Sequence, residues 1–152
     1  MHINLPRRSP KQWAGFTLLE VLVALFVLSI GLLGLAALQS LGLKFNHQSY
    51  QRTQATFQAY DILDRIRANP VAKNGALYSS VAVGDIPSDP ACGTTCTPQQ
   101  LRDLDIRIWN SNNASLLTQG KGGIETTGSI STITITWVEN DLPMSLVVEA
   151  QP

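Results

Sequence analysis

Polar and apolar positions divide this chain into three regimes. From Val21 to Leu38 the only polar side chain is Ser29, and the apolar run continues to Leu43. A run of roughly 18 such residues is long enough to cross a bilayer as a helix. From Phe45 the pattern turns amphipathic: Ala55, Ala59, Ile62, Leu63 and Ile66 recur at three- and four-residue steps, one apolar stripe on a polar cylinder. No proline lies between Pro10 and Pro70, so a single helix is expected from Phe16 to Asn69, roughly 80 Å long at 1.5 Å per residue. Asn69 precedes a proline and is pushed out of helical geometry, which ends the helix there.

Residues 70–97 are rich in Gly, Pro, Ser, Asp and Thr and read as a surface loop. In "TPQQ", Thr97 is a capping residue, Pro98 suits the first helical position and Gln100 completes a capping box. Leu101, Leu104 and Ile108 are the expected apolar face of a short helix, flanked by Trp109. "NSNNASLLTQGKGG" reads as a loop with flexible glycines. "SISTITITWVE" alternates strictly, with Ile133, Ile135 and Trp137 on one face and Thr132, Thr134 and Thr136 on the other, as a half-buried strand requires. "NDLP" turns the chain and "MSLVVEA" returns as the second strand of a hairpin, with a further short strand expected near Ile124. The expected fold is α+β: residues 16–43 a membrane half of the helix, 44–69 its amphipathic half, and 70–152 a small head whose antiparallel sheet packs on the helical stripe.

Charge refines this picture. The chain has 152 residues with 11 basic and 11 acidic side chains, enough for one membrane segment and one small domain. Arg7, Arg8 and Lys11 precede the apolar run, leaving eight cations against 11 acids in the remainder. That deficit argues against nucleic acid as a direct partner. The cationic leader places the N-terminus in the cytoplasm and the head outside, by the positive-inside rule. The run is too long for a cleaved secretory signal, and Pro10 and Lys11 interrupt what a twin-arginine signal would need. A plain signal anchor explains length and charge, but not the acid Glu20 inside the run.

Candidate chemistry is sparse. His2 and His47 are isolated, "QGKGG" around Lys121 lacks the spacing of a phosphate loop, and the "NAS" sequon at Asn113 is a pattern frequent by chance. No catalytic, cofactor or metal site is expected. The two cysteines, Cys92 and Cys96, fall in the exported part; a disulfide is expected if that compartment oxidises thiols, and reduced thiols are the alternative. The charges Asp61, Arg65, Asp64 and Arg67 read as a solvated helix face with i,i+4 and i,i+3 pairs.

Glu20 stands apart, since an acid inside a spanning helix calls for a partner. If a protease cut between Gly15 and Phe16, the new α-amine would be a cation at the start of the helix, and it could pair with Glu20 of a neighbouring copy. "GFTLLEVLVAL" resembles the N-terminus of type IV prepilins and type II secretion pseudopilins. The resemblance implies a leader, residues 1–15, removed by prepilin peptidase after Gly15; N-methylation of Phe16; and Glu20 as the assembly charge partner. With "DILDRIRANP", the cysteine pair, "TPQQLRDLDIRIWN" and "TITITWVEND", the chain resembles the PilV family of minor pilins, the type IV pilus modification proteins. That implies a pilin fold, a long helix half of which protrudes beneath a small head. It further implies a single-pass inner-membrane precursor in contact with lipid, then incorporation into an extracellular pilus with other minor pilins and the major pilin, through the assembly platform. Adhesion, twitching motility or DNA uptake would follow from the pilus. The alternatives are a type II secretion pseudopilin and, from another class, a signal-anchored periplasmic enzyme or binding domain.

Overall fold

The computed structural model describes residues 15–93 and 95–152, so the leader cations and His2 lie outside the described residues. Helix α1 spans Leu18–Ala68, uninterrupted by the glycines at 31, 34 and 42. The chain divides into two units, one ending at Leu43 and one comprising Lys44–Pro152. The first contains the apolar half of α1. The second is the head.

Within the head, the segment of α1 from Gln51 onward turns a face of buried residues inward: Ala55, Ala59, Ile62, Leu63 and Ile66, the stripe expected from the sequence. Asn69 stops the helix with φ −117° and ψ 70°, and its side chain accepts the Ala72 N–H at 3.3 Å. Asn69 therefore also caps a second helix, α2, at Pro70–Asn74 with proline at its start. The stretch 70–97 expected to be loop contains this turn of helix and a two-residue strand, β1, at Ser80–Val81. Thr97 caps helix α3, Pro98–Leu116, and both halves of the capping box with Gln100 are formed.

Helix α3 differs from the expectation in length and in face. It runs through "NSNNASL", and its buried positions are Asp105, Ile106, Trp109, Asn110 and Asn113, while Ile108 is exposed and Leu101 and Leu104 half-buried. Three of these five buried positions are polar, and Asp105 and Asn110 are buried with fixed partners. Asn110 Nδ2 donates to the carbonyls of Asp85 and Gly122, at 2.7 and 3.1 Å, and its Oδ1 accepts the Gly122 N–H at 2.7 Å. A side chain satisfied in this way buries without the usual desolvation penalty, so an apolarity count mistakes it for surface.

Strands β2 (Lys121–Thr127), β3 (Ile130–Glu139) and β4 (Leu142–Ala150) follow, in a four-stranded antiparallel sheet of order β1-β2-β3-β4. Asn140 and Asp141 both have positive φ, 52° and 62°, the conformation of a two-residue hairpin turn. Ile133, Ile135 and Trp137 are buried and the threonines between them half-buried, as their alternation requires. "KGG" lies in β2 and is not a loop. A Cβ on Gly122 would overlap the Trp109 ring and stand 2.7 Å from Asn113 Nδ2, so glycine is what lets α3 lie close against the sheet. Gly122→Ala should accordingly destabilise the head by about 3 kcal/mol, the upper range of overpacking, read as a lowered denaturation midpoint. The result is the expected α+β, pilin-like fold.

Candidate functional site

The first turns of α1 carry the residues singled out by the sequence. Gly15, Phe16 and Thr17 precede the helix; Gly15 has open space where a Cβ would stand, and Phe16 is 81% exposed. The Gly15–Phe16 junction is thus an accessible, non-helical bond, the kind a protease can accommodate. Thr17 opens the helix: the Glu20 N–H donates to Thr17 O at 3.1 Å and Oγ1 at 3.3 Å, and the Val21 N–H to Thr17 O at 3.3 Å. Glu20 therefore stands three residues after a capping threonine, in the first helical turn, where the free N–H groups favour a negative charge. The "TLLE" spelling of a capping box carries this signal. It relocates Glu20 from within the run to its very start.

From Leu18 to Leu43 every side chain is exposed, and no part of this apolar stretch of α1 is buried. Ser29 donates its hydroxyl to Leu25 O at 2.7 Å, so the one polar side chain between Val21 and Leu38 is satisfied within the helix. An apolar surface of this extent is not stable in water. It is one helix long and apolar enough to cross a membrane, and its surface calls for lipid or other helices.

In the head, the "DRIRANP" segment is more than a solvated face. Asp64 and Arg67 do pair at the surface, at 2.9 Å. Arg65, however, holds both Asp61, at 2.9 Å, and the buried Asp105 of α3, at 3.2 Å. Asp105 also accepts the Tyr78 hydroxyl at 2.7 Å, and Asn69 Nδ2 reaches Tyr78 Oη at 3.3 Å and Pro98 O at 3.0 Å. Five side chains thereby tie the end of α1 to α3 and to the segment before β1. Burial opposes the Arg65 charge, but the hydrogen bonds and charges of Asp61 and Asp105 outweigh it and raise its pKa. Burial, then the hydrogen bond to Asp105, raises the Tyr78 pKa well above the ordinary tyrosine value. The neutral hydroxyl is the native form, so its contribution to stability is complete below pH ~10 and is lost as pH climbs toward the raised value. Asp105→Asn removes the charge that Arg65 faces and should lower head stability by about 2 kcal/mol. It should also lower the pH at which Tyr78 titrates by the part of the shift that Asp105 supplies, while burial keeps it above the ordinary tyrosine value.

Cys92 and Cys96 are disulfide-bonded, with Cα atoms 5.2 Å apart. The bond closes a short loop immediately before the Thr97 cap. In the chain-entropy model such a loop gives about 2 kcal/mol, so Cys92→Ser should reduce steady-state protein abundance more than function per molecule. Two freely alkylated thiols in protein isolated without reductant would contradict this. Among the described residues no group of three or more His, Cys, Asp or Glu is placed to hold a metal ion.

Comparison with known proteins returns one finding. Residues 14–36 match the family model described as the prokaryotic N-terminal methylation motif. No curated protein matches the chain. Nor does any solved structure. Chains with this motif are cleaved and methylated by prepilin peptidase and assemble with other pilins, and the match supports a type IV pilin or pseudopilin. It contains Gly15, Phe16 and Glu20 and ends before the head begins.

Proposed function

We propose that this chain is a minor pilin of the type IV pilus modification (PilV) family, which primes or modifies pilus assembly and is built into the filament. Prepilin peptidase removes residues 1–15 and methylates Phe16. The processed chain waits in the inner membrane, the start of its helix on the cytoplasmic side, until the assembly platform moves it into the pilus. There its α1 packs among the helices of other minor pilins and the major pilin, and Glu20 pairs with a neighbour's N-terminal amine.

The observation that carries this reading is the juxtaposition, inside the matched motif, of an open Gly15–Phe16 bond, a capped helix start with Glu20 in its first turn, and the exposed apolar beginning of α1. The head serves as a rigid body for packing, and adhesion, twitching motility and DNA uptake are properties of the filament. "DRIRANP" and the cysteine segment favour the pilus over a type II secretion pseudopilin. Deletion of the gene tests the choice: surface pili should become fewer, with major pilin retained in the membrane, while export of secreted enzymes continues. Normal piliation with blocked secretion would support the pseudopilin instead.

A further inference from the structure

The strict alternation of β3 has a consequence at its end. The parity that buries Ile133, Ile135 and Trp137 also turns Glu139 inward, and this glutamate is 8% exposed. Its nearest cation is Arg52, whose Nε stands 3.8 Å from Oε2, beyond hydrogen-bond reach, and Oε2 has no hydrogen-bond partner. Beside it is Gln51, 3% exposed; its Nε2 donates to Thr118 Oγ1 at 2.8 Å and its Oε1 is likewise unpartnered. Both residues line a cavity of about 330 Å³ whose wall also includes Thr118, Asp141, Lys44 and His47. Buried acceptors left unpaired are expensive, and a carboxylate among them calls for a cation that can donate hydrogen bonds.

The remaining wall indicates which cation. Lys44 and His47 lie on the same cavity and supply positive charge or donors suited to an anion. Among the described residues no three His, Cys, Asp or Glu side chains are placed to hold a metal ion, and Lys44 would oppose one, as it would a lysine from another protein. Lys44 is also the first residue beyond the apolar run, with Gln51 two turns further along the same helix. We propose that the cavity binds the headgroup of a zwitterionic phospholipid with a primary ammonium: the ammonium donates to Glu139 and Gln51 with Asp141 nearby, and the phosphate is held by Lys44 and His47. The inference rests on the proposed membrane residence of the subunit before assembly and extends it to a lipid class.

The test is native mass spectrometry of the full-length protein in detergent, titrated with phosphatidylethanolamine, phosphatidylcholine and phosphatidylglycerol. Phosphatidylcholine has the same charges without N–H donors, and phosphatidylglycerol has the phosphate without the cation. Phosphatidylethanolamine should bind about tenfold more tightly than either, the worth of one charge-assisted hydrogen bond. Glu139→Gln should abolish most of that preference. If that variant does not fold, Asp141→Asn, at the exposed turn, should reduce it severalfold. Equal binding of the three lipids, or a preference unchanged in both variants, overturns the proposal. So does calcium binding that excludes the lipid, which would make this a metal site. Water-soluble glycerophosphoethanolamine should compete for the cavity. If it binds while the protein fails to enter bilayers, the membrane reading fails and the pocket stands; if the protein enters bilayers without headgroup selectivity, the pocket fails alone.

Discussion

Gly15→Lys is expected to leave an uncleaved precursor held in the membrane, with no processed chain in filaments. The substitution is a clean probe because Gly15 precedes the helix and, among the described residues, nothing occupies the space a Cβ would fill. Folding of α1 and of the head has no reason to change, unlike at Gly122, where the same kind of addition meets Trp109. The effect therefore reports on recognition by the protease. A site that accepts a residue without a side chain beside the scissile bond has no space for a long cation. The check is an immunoblot of membranes comparing precursor and processed forms; processing at the normal rate would remove the peptidase assignment.

Glu20→Val is expected to separate membrane residence from assembly. In the bilayer a carboxylate opposes insertion by up to about 3 kcal/mol, so the variant should be retained at least as well as the original. The structure adds a small opposing effect, because Glu20 lies in the first turn of α1 and loses a favourable interaction with the helix end of about 0.3–1 kcal/mol. Thr17 still caps the helix, and 51 residues of helix absorb the loss. Cleavage after Gly15 should proceed. Filament entry should fall by about tenfold or more, since an N-terminal amine left without its carboxylate among packed helices lacks a charge-assisted partner. The ratio of processed variant in sheared filaments to that in membranes measures this, with Glu20→Gln as the control that keeps size and polarity. Equal filament entry for all three would assign Glu20 to helix capping alone.

The motif that contains those two residues was legible because its signals are local. A small residue, an aromatic and an acid at fixed spacing before an apolar run can be read without knowing what lies elsewhere, and the same holds for the Thr97 cap and the alternation of β3. The helical stripe from Ala55 to Ile66 was equally plain, because period and burial coincide there. What escaped depends on partners distant in sequence. Asp105 looks like surface until Arg65 and Tyr78 reach it from 40 and 27 residues away. Asn110 and Asn113 look like loop residues until Gly122 pairs with Asn110, and Asn113 donates to Asn110 in turn. The glycines of "KGG" resemble flexibility, yet they mark close approach, and only the position of Trp109 distinguishes the two. Glu139 was within reach, being on the same parity as Ile133 and Trp137, but a charged residue at a strand end is ordinarily read as the edge of burial.

The central claim is that this chain becomes a filament subunit by cleavage at one bond and methylation of the residue exposed. Pili sheared from cells, separated from membranes and analysed by intact and N-terminal peptide mass spectrometry test it directly. The account predicts a chain beginning at Phe16, heavier by one methyl group on its α-amine and recovered together with other pilins. A chain that retains residues 1–15, or one confined to membranes while pili form without it, would contradict the account.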